Sequence, residues 1–167
     1  MTTARRVAPL THTDERGRVR MVDVAAKPIT AREAIAEAVV KMAPATLARL
    51  RKGDVAKGDA LAVVRIAAIQ GAKRTPELIP LCHTIALTKV DVDVDIQPRA
   101  VRIRTTARAS DRTGVEMEAL VAASMGALAL YDMLKAIDRG ISYSVRLVEK
   151  RGGASGVYRR GARGARG

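Results

Sequence analysis

Asp132 and Lys135 lie three residues apart near the end of a long apolar segment that we predict to be helical. Residues at this spacing share one helix face, so the carboxylate and the amine would meet there. The simplest interpretation is an exposed ion pair worth about 0.2–0.5 kcal/mol. A half-buried pair whose pKa values shifted toward each other could instead exchange protons near neutral pH, which is general acid–base chemistry.

Cys82 and His83 stand side by side before a predicted strand, in a chain with one cysteine and two histidines. A structural zinc site needs about four nitrogen or sulfur ligands at short repeated spacings, so we expect no metal here. His83 fits equally well as a core histidine bonded to the backbone or as a residue that transfers protons. A lone cysteine cannot form a disulfide within the chain, which fits a reducing compartment.

Several lysines stand near the ends of predicted elements, where they could converge on phosphate groups. Taken singly, each is more often an ordinary surface charge. The glycine-rich signatures GxxxxGK[ST] and GxGxxG are missing from the sequence, so a triphosphate would have to be recognised by lysine and arginine side chains. The lysines in question are Lys27, Lys57, Lys73, Lys135 and Lys150.

Patterning in the N-terminal half predicts one strand and three helices. Residues 18–27 alternate apolar and polar side chains, which is typical of a strand. Thr30 and Glu33 match the capping box T-x-x-E, which predicts a helix through the following residues AREAIAEAVVKM. Two further helices are predicted over 45–52 and 61–73.

Residues 84–108 predict a β-hairpin that turns at about 97–100. Its first strand alternates valine with aspartate, and its second alternates apolar residues with arginine. Cross-strand pairing of acid with base contributes about 0.2–1 kcal/mol per pair, and we expect a solvated sheet face here. The charged residues are Asp91, Asp93, Asp95, Arg102 and Arg104.

A second capping box, Thr113 with Glu116, predicts a long helix to Asp138 with Gly140 as its stop. A last strand follows over 141–150. The order β-α-α-α-β-β-α-β favours an α+β fold, a ferredoxin-like two-layer sandwich with an antiparallel sheet. The inner face of the long helix is predicted to comprise Met117, Leu120, Val121, Ser124, Leu128 and Tyr131.

Two carboxylates of the predicted long helix, those of Glu118 and Asp132, lie far apart along it. Glu118 and Asp132 are 14 residues apart, which is about 21 Å along a straight helix. One small substrate cannot easily touch both within one chain. If both belong to a site, we expect that site to be shared between subunits of a homo-oligomer.

Composition favours one domain over residues 1–156, with residues 1–9 disordered and a flexible basic tail over 157–167. The chain has 167 residues, of which 48% are hydrophobic, and a formal charge of +13. We find neither a signal peptide nor an apolar run of about 20 residues, so we expect a cytoplasmic protein without membrane contact. The charge suggests nucleic-acid binding as a rival function, but only three tyrosines could stack on bases.

Five segments occur in this order: MVDVAAK, KGD followed by RIAAIQGAKRTPELIPLCH, TGVEMEAL, AASMGALALYDMLKAI and VRLVEKRGGASG. Together they resemble the cyclic pyranopterin monophosphate synthase family of molybdenum cofactor biosynthesis, over about residues 10–156. The resemblance implies a lyase that converts (8S)-3′,8-cyclo-7,8-dihydroguanosine 5′-triphosphate to cyclic pyranopterin monophosphate and diphosphate. It also implies a homohexamer, a trimer of dimers with sites at subunit interfaces, and no required cofactor. Mg²⁺ would at most accompany the triphosphate.

The resemblance also implies residue roles. Asp132, Lys135, Lys57 and His83 match catalytic positions. Leu81, Cys82 and His83 match a substrate-binding LCH segment, and Met117 and Glu118 match a substrate-binding pair. The positions that the family places around the substrate are occupied by Lys27, Arg32, Lys73, Glu116 and Lys150.

Two departures from the family pattern bear on function. Thr84 and Ile85 follow LCH where the family has Pro-Leu, and Ala154 replaces a lysine of the glycine motif. A phosphate contact from position 154 would be lost, with Arg151 as a candidate replacement. A degenerate member that binds substrate without turnover is therefore an alternative, although Asp132 and the other catalytic positions are intact.

Overall fold

The computed structural model of the protein describes residues 16–161, in which an antiparallel sheet is packed on one face by helices. The sheet order is β2-β3-β1-β4-β5. This architecture confirms the predicted α+β two-layer sandwich. The elements are β1 (Thr30–Lys41), α1 (Pro44–Lys52), α2 (Ala60–Lys73), α3 (Thr75–Leu78), β2 (Leu87–Ile96), β3 (Ala100–Asp111), α4 (Glu116–Leu134), β4 (Ser142–Arg151) and β5 (Tyr158–Arg159).

Small side chains make the core. Ala34, Ala36 and Ala38 of β1 are completely buried beneath α4. On the helix layer, α2 packs on α4 at Gly71, where an added Cβ would lie 2.7 Å from the Met125 side chain. Such close approach is how a chain without Phe or Trp reaches native packing density.

The helix predicted after the Thr30–Glu33 capping box is wrong, because Thr30–Lys41 is the central strand β1. Glu33 and Glu37, four residues apart, resemble one helix face. They instead lie on the open face of the sheet, paired with Arg108 and Arg146 of the neighbouring strands. A segment with alanine at every second position can form a strand that buries the alanines or a helix. Here the pairing of the segment with a strand on each side decides the conformation.

The strand predicted over 18–27 is also absent, since only Val19 in this segment forms an isolated bridge. The predicted order of elements, β-α-α-α-β-β-α-β, nevertheless matches the first eight elements of the structure. The agreement is partly accidental, because β1 replaces a predicted helix and the short helix α3 was not predicted. The hairpin of β2 and β3 is confirmed, with Asp95 and Arg102 paired at 3.2 Å.

α4 is confirmed as the long helix, but both of its predicted ends are wrong. Val115 is its N-cap and has no side-chain cap bond, so Thr113 and Glu116 form no capping box. The helix ends at Leu134, and Asp138 lies beyond it, accepting hydrogen bonds from Ala43 N at 2.9 Å and Thr46 Oγ1 at 3.0 Å.

The predicted inner face of α4 is mostly wrong. Only Val121 of the six predicted residues is buried, and Leu128 is 46% exposed. The buried face consists mainly of small residues and includes Glu118 at 2% exposure. A helix that is apolar nearly all round gives little contrast from which to choose a face. By length and composition α4 could cross a membrane, yet 56% of it is buried in this fold, as in many core helices.

The start of the predicted flexible tail is ordered. Tyr158 and Arg159 form β5 on the edge of β4, where Arg159 pairs with Glu149 at 3.1 Å. This part of the tail is therefore a strand. The predictions for 1–9 and for 162–167 lie outside the described residues.

Candidate functional site

A cavity of about 320 Å³, the LCH pocket, opens at the N-terminal end of α4. One wall is apolar and comprises Val22, Val24, Leu81, Ile85 and Met117. The remaining lining residues carry polar groups and comprise Lys27, Cys82, His83, Thr113, Gly114, Glu116 and Glu118.

Two hydrogen bonds position the LCH segment, one within its own turn and one to the N-terminal part of the described chain. The Cys82 amide donates to Ile79 O at 3.1 Å, just after α3. His83 Nε2 lies 2.8 Å from Val22 O. A carbonyl oxygen only accepts, so Nε2 carries a proton, and Nδ1 of the neutral ring is the nitrogen that can take up another.

Glu118 is the most unusual group in the LCH pocket. Its side chain is buried, and its Oε2 has no hydrogen-bond partner among the described residues. Burial, assisted by the negative charges of Glu116 and Asp111, raises the pKa of Glu118 to about 7. A carboxyl group in this state can accept or donate a hydrogen bond at neutral pH, so a bound ligand could satisfy it.

Cys82 is a poor candidate for a nucleophile. Burial, together with the charge of Glu118, raises the pKa of its thiol above the usual value. The reactive form of cysteine is the thiolate, and this environment disfavours it. Cys82 therefore contributes surface to the pocket rather than covalent chemistry.

A second cavity of about 280 Å³, the basic pocket, adjoins the first and shares Lys27, Thr113, Gly114 and Glu116 with it. Five of its lining residues are cationic, and Glu116 is its one carboxylate among the residues that the structure describes. The cations are Lys27, Arg32, Arg112, Lys150 and Arg151.

The cations of the basic pocket have different partners. Arg32 donates to the carbonyl oxygens of Asp111 and Arg112, both at 3.1 Å, so its charge is not neutralised. Lys150 donates to the Ser155 hydroxyl. Arg151 pairs with Glu149 at 2.5 Å and Glu33 at 3.8 Å, which weakens it as a replacement for the lysine missing at 154.

A glycine turn closes the basic pocket. Gly152 has φ of +91°, and a Cβ there would collide with Ala31 O at the start of β1. Gly153 has φ of +77°, and a Cβ there would collide with the Arg32 guanidinium. At Gly152 both the positive φ and the nearby backbone oxygen require glycine, whereas at Gly153 the positive φ is the reason, because the Arg32 guanidinium is the movable end of a side chain.

Asp132, Lys57 and Lys135 form a separate cluster, the lysine–aspartate cluster, at the C-terminal end of α4. Lys57 Nζ lies 2.8 Å from Asp132 Oδ2 and also 2.8 Å from the Asp132 carbonyl oxygen. Lys135 Nζ lies 2.7 Å from Asp132 Oδ1. The three side chains are all between 43% and 54% exposed.

The pKa values in this cluster move apart, as in the simple ion pair, and not toward each other as proton exchange within the pair would require. Hydrogen bonds from Lys135 and Lys57 lower the pKa of Asp132 to about 2, and the bond to Asp132 raises the pKa of Lys135. The values move apart because the hydrogen bonds between these groups outweigh desolvation at a position that is open to solvent. Both groups are charged at neutral pH.

All but one of the predicted site residues thus lie in one of two places, and the exception is Lys73. Lys57, Asp132 and Lys135 belong to the cluster just described. Lys73 is exposed at the end of α2 and lines neither pocket. The two adjoining pockets bring together Lys27, Arg32, Leu81, Cys82, His83, Glu116, Met117, Glu118 and Lys150.

Several lining residues were not singled out from the sequence. Val22 and Val24 belong to the segment predicted as a strand. The alternation of apolar and polar residues in that segment gave no reason to place the two valines beside His83. Arg112 directly precedes the TGVEMEAL segment, and that adjacency was the one available signal. Among residues 16–161, His, Cys, Asp and Glu form no group of three or more that could hold a metal ion.

Comparison with known proteins agrees with the resemblance of the five segments. The sequence profile of the MoaC family matches residues 21–153. A protein named cyclic pyranopterin monophosphate synthase from Thermomicrobium roseum is 55% identical over 157 residues, 92% of this chain and 95% of the relative. A protein of the same name from Roseiflexus sp. is 56% identical over 91% of this chain and 98% of the relative. Another, from Parvibaculum lavamentivorans, is 51% identical over 90% of this chain and 96% of the relative.

Proposed function

Since this chain belongs to the MoaC family, we propose that it is a lyase of molybdenum cofactor biosynthesis. Its substrate is (8S)-3′,8-cyclo-7,8-dihydroguanosine 5′-triphosphate, and its products are cyclic pyranopterin monophosphate and diphosphate. The observation that supports this most directly is the junction of the LCH pocket with the basic pocket. A purine-derived ring carrying a triphosphate needs this combination of a mixed apolar pocket and a cationic one.

The ring system occupies the LCH pocket in this proposal. Its flat faces pack on Leu81, Ile85 and Met117, and its N–H groups donate to Glu118 Oε2, which has no partner among residues 16–161. His83, whose Nε2 is held by Val22 O, takes up or delivers protons through Nδ1 as the ring rearranges.

The triphosphate occupies the basic pocket. A ribose-derived hydroxyl attacks the α-phosphorus, forming the new P–O bond, while the bond from the α-phosphorus to the β-phosphate oxygen breaks. Diphosphate leaves with that electron pair, and the hydroxyl proton passes to a base. Lys27 lies on the wall shared by both pockets and neutralises charge near the α-phosphate, while Arg32 and Lys150 neutralise the outer phosphates. Mg²⁺ accompanying the triphosphate is compatible with this arrangement, and no other cofactor is proposed.

The lysine–aspartate cluster enters the site from a neighbouring subunit. Along α4 it is about 21 Å from Glu118, too far for one substrate to reach within one chain. We therefore propose a homohexamer, a trimer of dimers, whose sites combine the pockets of one subunit with Lys57, Asp132 and Lys135 of another. Because the pKa of Lys135 is raised by Asp132, Lys135 enters the reaction charged and acts first as a proton donor.

We propose that the enzyme works in the cytoplasm, without membrane or specific nucleic-acid partners. Ala154, which lines the basic pocket without a charge, favours the alternative of a degenerate member that binds substrate without turnover.

Turnover decides between these alternatives. The cyclised dihydro-GTP substrate is supplied anaerobically to the full chain, and diphosphate release is followed together with pterin fluorescence after oxidation. The proposal predicts stoichiometric formation of both products. Tight substrate binding without either product, from correctly folded protein, would favour the degenerate member.

A further inference from the structure

Arg112 occupies a fixed position at the mouth of the basic pocket, directly after β3. Its backbone amide donates to Asp111 Oδ1 at 2.6 Å, and its carbonyl oxygen accepts from Arg32 Nη2 at 3.1 Å. The side chain therefore starts from a backbone that is held on both sides. It lines the basic pocket but not the LCH pocket.

The Nε of Arg112 is buried without a hydrogen-bond partner among residues 16–161, and none of the ion pairs of these residues involves Arg112. A buried donor without a partner is costly unless something else accepts its hydrogen bond. The feature is informative because the other arginines here are engaged: Arg32 by two carbonyl oxygens and Arg151 by two carboxylates.

We propose that Arg112 binds the outer phosphates of the substrate and holds the diphosphate as it leaves. This inference rests on the proposed function and adds a residue to it. Arg112 lines the basic pocket and not the LCH pocket, so the proposal assigns it to the phosphates rather than to the ring. A guanidinium presents two parallel N–H donors to phosphate oxygens, which a lysine cannot do.

Charge builds on the departing diphosphate as the bond to the α-phosphorus breaks. A fixed cation at that location stabilises the transition state more than the bound substrate, so Arg112 contributes to turnover as well as to affinity. Arginine stays charged in proteins, so a substitution here should change the size of kcat/KM and leave the shape of its pH profile unchanged.

The test compares Arg112→Met with Arg102→Met in the full chain. Arg102 is a matched control, because its Nε is also buried without a partner among residues 16–161. It lies within β3, outside both pockets, and pairs with Asp95 through Nη2. Inorganic diphosphate is the binding probe, measured by calorimetry, and kcat/KM is measured as a function of pH with the cyclised dihydro-GTP.

We expect Arg112→Met to weaken diphosphate binding by about 10- to 100-fold and to lower kcat/KM by a similar factor, without changing the shape of the pH profile. Arg112→Lys should retain part of the affinity, and Arg102→Met should bind diphosphate as the wild type does. Unchanged diphosphate affinity in Arg112→Met would overturn the inference, as would equal losses in both methionine variants. If the wild type forms no product but Arg112→Met still loses diphosphate affinity, the anion site stands and the proposed function fails.

Discussion

The two ends of α4 present opposite kinds of carboxylate. At the N-terminal end, Glu118 is buried, its Oε2 has no partner among the residues that the structure describes, and its pKa is raised to about 7. At the C-terminal end, Asp132 is exposed, is held by Lys57 and Lys135, and has its pKa lowered to about 2. At the first end a polar atom is left for a ligand to contact, whereas at the second end each charged group already pairs with one of opposite sign.

This difference indicates a division of labour between subunits. A buried carboxyl without a partner is costly and persists where binding requires it. An exposed ion-paired cluster contributes little to stability, so its three members are better explained by a role on a second molecule. A neighbouring subunit that covers the cluster would also remove water from it and change its proton affinities.

The largest expected effect comes from the exposed end. Lys135→Ala should lower kcat by about 10³-fold, the range of a lost acid–base group, while the melting temperature stays near that of the wild type. Lys89→Ala is the control, because Lys89 is also exposed and paired, with Asp91 at 3.0 Å, but lies outside both pockets and the cluster. Wild-type turnover in Lys135→Ala would refute the role of this cluster.

A smaller effect is expected at the buried end. Glu118→Gln keeps the shape of the side chain but removes its titration, and should lower kcat/KM by about 10- to 100-fold. The inflection near pH 7 in the wild-type profile should disappear in the variant. Glu37→Gln is the control for a buried carboxyl, since Glu37 pairs with Arg146 on the open sheet face. Persistence of the inflection in Glu118→Gln would show that another group titrates there.

Stability should depend on pH through the same two residues in opposite directions. The pKa of Glu118 is raised from 4.5 to about 7, so its contribution is present below pH 4.5 and is lost as the pH rises to about 7. The pKa of Asp132 is lowered from 3.8 to about 2, so its contribution is present above pH 3.8 and is lost as the pH falls to about 2. Thermal melting of Glu118→Gln should lose the first dependence only; a curve identical to that of the wild type between pH 4.5 and 7 would contradict this account.

The roles assigned to site residues from the sequence stay predictions, whereas the elements that carry those residues can be compared with the structure. The structure places the residues of LCH, TGVEMEAL and YDMLK near the two ends of α4. The conformation of 30–41 was not predictable, since alternating alanines fit a helix or a strand until β3 and β4 pair with it. The burial of Glu118 was equally hidden, because α4 is apolar on nearly every side and the chain gives no sign of which face meets the sheet.

The smallest expected effect concerns the departure from the family pattern at Ala154. Ala154→Lys adds a cation to the exposed side of the basic pocket and should lower KM by about two- to fivefold, as expected for a solvent-screened charge. Ala45→Lys, on the exposed surface of α1, is the matched control. An unchanged KM in Ala154→Lys would show that the remaining cations already saturate the phosphates.

Complementation between two inactive variants tests most directly the claim that the two ends of α4 serve one site from different subunits. His83→Ala removes a group of the LCH pocket and Lys135→Ala removes a group of the lysine–aspartate cluster. The two proteins are unfolded together, refolded in equal amounts and assayed for turnover of the cyclised dihydro-GTP. Random assembly should leave about one quarter of the sites with both halves intact, so about a quarter of wild-type activity should return. Mixed oligomers that stay as inactive as either parent would contradict the shared site.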